Sequence, residues 1–158
     1  MLRRMTDEQS TFVERMGVLA TQAGIPRMAG RVWGWLLICE PPEQNAAELA
    51  EALDASRGSI SSSTRLLATV GIIHRSTRRG DRREYFSIPP GSIAALLRSE
   101  QRRLSPWLAL SIEGLELVRD QPVEQRERMQ EFHDLYAFFQ REMPAITDDF
   151  LAARKGNA

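Results

Sequence analysis

Apolar positions recur at helical spacing along almost the whole chain. Thr6 opens a first segment with the stripe Phe12, Met16, Leu19 and Ala23, and Gly24 and Pro26 separate it from the next. Positions 32–39 are apolar on nearly every side, so a buried helix is predicted over 27–39, stopped by Pro41 and Pro42. Asn45 starts a short helix whose Ala46, Leu49 and Leu53 share one face, and Ser56 caps a further helix over 57–70 that closes at Gly71.

The period then changes. Residues 72–75 and 84–88 are short runs rich in branched and aromatic side chains, joined by STRRGDRR, which predicts a hairpin with a long arginine-coated tip. After Pro89, Pro90 and Gly91 the helical period returns over 92–119 and 123–153, with a break at 120–122. Pro106 and Pro144 are expected to kink or interrupt these two helices. The order helix, tight loop, helix, hairpin outlines a winged helix-turn-helix. The predicted fold is mostly α with a small β-hairpin wing (α+β), its winged helix flanked by terminal dimerisation helices. Three segments follow: an N-terminal dimerisation helix over 1–25, the DNA-binding domain over 26–90 and a C-terminal helical dimerisation region over 91–158.

The helix over 57–70 carries the most specific chemistry. With Ile60 as reference, Leu66, Leu67 and Val70 turn to one side; Ser61, Ser62 and Arg65 turn to the other, with Gly58 beside them. Small residues let a helix enter a major groove, hydroxyls bond phosphates or base edges, and an arginine can grip guanine with two hydrogen bonds. Arg78, Arg79, Arg82 and Arg83 of the wing over 76–83 would then follow the adjacent backbone or minor groove.

Charge sharpens this picture. The 158 residues carry no net charge, but 55–84 hold seven arginines against Asp81 and Glu84, a surplus of five. Residues 26–54 carry an excess of three negative charges, and 120–150 an excess of five. Such asymmetry points to a confined anion-binding surface. A winged-helix module that binds a basic partner protein instead of DNA is the second reading, raised by the acidic flanks.

Residues 12–90 resemble the MarR superfamily, and within it the branch named for the glycine-betaine-synthesis regulator (GbsR-type). The likeness rests on FVERMGVLATQAGIPRMAGRVWGWLLICEPP, LAEALDASRGSISSSTRLLATVGIIHR and GDRREYFSI. It implies a dimeric one-component transcriptional regulator, often a repressor, whose grip on double-stranded DNA a small-molecule effector can alter. Position by position, it assigns Ser56, Arg57, Gly58, Ser59, Ser61, Ser62 and Arg65 to the DNA-reading helix. Asp81 and Arg83 match a wing pair in which the carboxylate orients the arginine. Beyond residue 91 only dimerising helices are carried over.

Other chemistries find little footing. With 42% hydrophobic and 27% charged residues the composition is globular. Cys39 is the only cysteine and His74 and His133 the only histidines, so neither a disulfide framework nor a metal centre is expected. The serines have no neighbouring base and no G-x-S-x-G elbow, and no acid, base or metal set converges; neither an enzyme nor a cofactor is expected. Trp33, Trp35, Trp107, Phe132, Tyr136, Phe138 and Phe139 suit core or dimer packing better than the lining of an effector cavity. Leu135, Phe138, Phe139 and Met143 form an apolar flank suited to pairing with its counterpart in a dimer or with the N-terminal helix. No run of 18 apolar residues occurs and MLRRMTDEQS has no hydrophobic core segment, so a cytoplasmic protein without membrane association is expected.

Overall fold

A computed structural model describes residues 5–156, so residues 1–4 of the segment 1–25 and residues 157–158 of the segment 91–158 lie outside the described part. The chain divides into two compact units, Met1–Ser92 and Ile93–Ala158.

In the first unit, α1 (Asp7–Gln22) opens with a capping box. Thr6 Oγ1 accepts from the Gln9 amide at 3.2 Å and Gln9 Oε1 accepts from the Thr6 amide at 3.0 Å, satisfying two amides that a helix start leaves free. The face α1 turns to α2 (Arg27–Ile38) is Val13, Gly17 and Ala20. The predicted stripe is therefore displaced: Phe12 and Leu19 are 39% and 59% exposed, Ala23 is exposed and Met16 half-buried. Close approach of backbones explains the choice. A Cβ on Gly30 would lie 2.4 Å from Ala20 Cβ and 2.8 Å from the Met16 carbonyl oxygen, so only small residues can form this contact. Along α2, Ala29, Val32, Trp35 and Leu36 are buried, as is Cys39 just beyond it. Burial pushes the Cys39 thiol up to about 11.

Asn45 caps α3 (Ala46–Ala52), accepting from the Ala47 and Glu48 amides at 2.9 and 3.1 Å. α3 packs against α4 (Arg57–Thr69), and Leu49, Leu53, Ile60 and Leu67 are all wholly buried. Two strands are the predicted hairpin, β2 (His74–Thr77) and β3 (Glu84–Ser87). β2 starts two residues later than expected, because Ile72 and Ile73 are buried in the connection after α4. Gly71, at φ +81°, makes the reversal that leads into it. A strand absent from the sequence reading, β1 (Gln44–Asn45), pairs antiparallel with β3 and gives the order β1-β3-β2.

The second unit is a pair of long helices, α5 (Ser92–Leu117) and α6 (Val123–Gly156). Pro106 and Pro144 lie inside them and interrupt neither, since a proline removes one amide bond while the flanking turns continue the helix. Between the helices the Trp107 ring stacks on Tyr136 at 5.8 Å and meets Phe132 edge-on at 6.4 Å. Ser111 is fully buried; its hydroxyl donates to the Leu108 carbonyl at 2.6 Å and lies 2.9 Å from His133 Nδ1. With its one proton so placed, the Ser111 oxygen accepts from Nδ1–H. Met129 fills the space beside Gly114. Leu135, Phe138 and Phe139 of the predicted apolar flank are 48%, 50% and 36% exposed.

Candidate nucleic-acid interface

Helix α4 is capped by Ser56, whose Oγ accepts from the Ser59 amide at 3.2 Å. Its buried edge is Ile60, Ser63, Thr64 and Leu67, spaced i, i+3, i+4, i+7. The expected core position of Leu66 is not realised: it is 36% exposed, and Val70 is only half-buried. Ser63 and Thr64 lie nearer the Ile60–Leu67 line, and Thr64 can be buried because its hydroxyl donates to the Ile60 carbonyl at 2.9 Å. The opposite face shows Arg57, Gly58, Ser61, Ser62 and Arg65, all exposed, with Ser59 half-buried beside them. A Cβ on Gly58 would meet nothing within 4 Å. The Ser62 hydroxyl donates to the Ser59 carbonyl at 3.0 Å.

The wing is held by a carboxylate. Asp81 accepts from Arg83 Nε at 3.0 Å and Nη2 at 2.8 Å, from the Arg83 amide at 2.9 Å and from the Tyr85 hydroxyl at 2.8 Å. The Arg83 guanidinium, then its amide and the Tyr85 hydroxyl, hold the Asp81 carboxyl far below the usual carboxylate range. The same bond raises the Tyr85 phenol. Gly80, at φ +82°, makes the tip, and the Asp81 amide closes the turn on the Arg78 carbonyl at 3.0 Å.

One participant was missed by the sequence reading. Glu43, next to β1, accepts from Arg78 Nη2 at 2.7 Å and from Ser76 Oγ at 2.9 Å. Arg78 in turn lies 3.9 Å above the Tyr85 ring, with Arg83 at 5.7 Å from the same ring. The bond from Arg78, then that from Ser76, lowers the Glu43 carboxyl. Only pairing of β1 with β3 could have flagged Glu43, and a two-residue strand has no periodicity to read. Arg75 pairs with Glu84 at 3.1 Å. Among the described residues, Arg57, Arg65, Arg79 and Arg82 form no ion pair.

The structure thus joins Arg78, Asp81, Arg83 and Tyr85 into one cluster and lines the α4 residues along one helix face, with no hydrogen bond between the two sets among the described residues. Of the other candidate aromatics, Trp35 is core, while Phe138 and Phe139 form a T-shaped pair with centroids 6.1 Å apart. Among the described residues no group of three or more His, Cys, Asp or Glu could hold a metal ion, and no helix is long and apolar enough to cross a membrane.

Comparison with known proteins adds three findings. A family model described as MmpR5-like MarR family transcriptional regulator matches residues 91–153, the region for which the resemblance implies only dimerising helices. The HTH-type transcriptional regulator MmpR5 of Mycobacterium tuberculosis (strain ATCC 25618 / H37Rv) is 40% identical over 129 residues, which cover 82% of this chain and 78% of that protein. A crystal structure described only as that of a transcriptional regulator is 36% identical, covers 92% of this chain and 99% of its own, and superposes with a TM-score of 0.82. With a winged-helix unit, a helical unit and a relative of this similarity spanning most of both chains, the protein belongs to the MmpR5-like MarR family of DNA-binding transcriptional regulators.

Proposed function

We propose that the chain acts as a cytoplasmic homodimeric repressor. Two copies of α4 read a pseudo-palindromic operator while the wings grip the flanking backbone. The observation that carries this reading is the outward face of α4. Gly58, Ser61 and Ser62 leave it low and polar, and Arg65 stands exposed without an ion pair among the described residues. Such a face can descend to base edges, whereas bulky side chains would hold the helix away. Exposed Arg79 and Arg82 supply charge for phosphates.

Dimerisation is supported by the apolar residues that α5 and α6 expose, among them Leu110, Ile112, Leu135 and Phe138. Two linked reading heads multiply individually weak half-site contacts through effective concentration. Their α4 helices would occupy successive major grooves, about 34–36 Å apart. A small-molecule effector would need only to favour one separation of the heads by ~1–3 kcal/mol to switch occupancy. Affinity to the GbsR-type branch rests on the three sequence stretches within residues 12–90 alone.

Selection of tight binders from a random duplex pool tests this reading. The expected product is an inverted repeat whose half-sites are about 10–10.5 base pairs apart, or a multiple of that. A pool with no enriched motif, or a single unrepeated half-site, would contradict it.

A further inference from the structure

Glu43 stands outside both the reading helix and the wing, yet it binds two wing residues at once. Arg78 Nη2 and Ser76 Oγ both donate to it, at 2.7 and 2.9 Å. From there contacts continue across the hairpin. Arg78 covers the Tyr85 ring, the Tyr85 hydroxyl donates to Asp81, and Asp81 grips Arg83. The two arginines inside this chain of contacts each face a carboxylate that offsets their charge. Arg79 and Arg82, on either side of Gly80 and Asp81, are exposed and form no ion pair among the described residues. A carboxylate beside an arginine weakens its attraction for an approaching phosphate but strengthens its use as a brace.

We infer that Glu43 is a positioning residue for DNA binding: it locks Arg78 against Tyr85 so that Arg78 braces the wing, and Arg79 and Arg82 carry the wing's phosphate contacts. This divides four arginines of similar appearance into two roles. It deepens the DNA-reading proposal and rests on it. Exposed ion pairs contribute little to folding, so variants of this pair are expected to fold and to show their effect on the duplex.

The test is fluorescence anisotropy of the full chain on a labelled mixed-sequence duplex across a salt series, with thermal midpoints recorded in parallel. R79A and R82A are expected each to lower the salt slope by about one contact. R78A and E43A are expected to weaken binding at every salt concentration while keeping the wild-type slope. E43A/R78A should be no weaker than R78A alone, the signature of two residues acting as a unit. E43Q keeps one oxygen to accept from Arg78, its amide nitrogen can donate to Ser76 Oγ in place of the second oxygen, and it should recover most of the affinity lost in E43A. The inference is overturned if R78A lowers the slope by about one, or if E43A and E43Q both tighten binding, since Glu43 would then be only a charge that repels phosphate. If the wild-type chain fails to bind the duplex at low salt, it is the DNA-reading proposal that falls.

Discussion

Arg83 donates through Nε and Nη2 to both carboxylate oxygens of Asp81, at 2.8 to 3.0 Å, and its own amide bonds the same carboxylate. A flexible side chain at a hairpin tip is thereby fixed by a neighbour two residues away. Because the Asp81 carboxyl is held below its ordinary value, the stabilisation is present above the unfolded pKa of about 4 and is lost as pH falls through the lowered folded value. The difference in thermal midpoint between wild type and Asp81→Asn should therefore be constant from neutral pH to about pH 5 and shrink in more acidic solution. A difference that grows on acidification would show that the carboxylate is not the source.

Arg65 lies on the exposed face of α4 with Ser61 and Ser62. Its replacement by alanine should cost roughly 1–3 kcal/mol of operator binding and relax preference at a single base pair in each half-site. Binding to a panel of singly substituted operators measures this. An unchanged preference would mean that another face of α4 reads the bases.

Gly58 separates stability from function. A Cβ there meets nothing within 4 Å. In the free protein Gly58→Ala should be neutral or stabilising, by up to about 0.4–1 kcal/mol, because alanine restricts the unfolded chain. In the proposed complex the added methyl would stand where the start of α4 approaches DNA, so operator affinity should fall. Thermal unfolding and anisotropy on the same preparation check both halves, and unchanged affinity would place Gly58 away from the DNA.

Gly30 makes the opposite case. Its missing side chain is filled by Ala20, the Met16 carbonyl and the Gly17 backbone. Gly30→Ala must push α1 and α2 apart, at a cost of roughly 1–3 kcal/mol. Urea unfolding at fixed protomer concentration reads that loss, and an unchanged midpoint would show that the two helices do not approach this closely.

Much of the architecture was legible because its signals are local. Caps at Thr6, Asn45 and Ser56 and the left-handed turns at Gly71 and Gly80 stand where residue type demanded them. The pairing of Asp81 with Arg83 is implied by the family resemblance, and the hydrogen bonds between them realise it. What escaped depends on partners distant in sequence. The inner face of α1 follows Gly17 and Ala20 because Gly30 of α2 admits only small neighbours, and hydrophobicity alone favours Phe12 and Leu19. Ser63 and Thr64 carry no hydrophobic signal, although their spacing with Ile60 and Leu67 fits a core stripe. Glu43 reaches Arg78 across 35 positions, and only the pairing of β1 with β3 brings it there.

The most direct test of the central claim is anisotropy of the purified protein on its own upstream DNA and on a scrambled duplex, titrated with salt. Sequence-specific reading by α4 and the wing predicts at least ~10³-fold tighter binding to the upstream duplex, with a steep salt slope. Equal, feeble binding to both would contradict reading of that DNA. Absence of binding even at low salt would contradict DNA reading altogether and favour a winged helix that docks a basic partner protein.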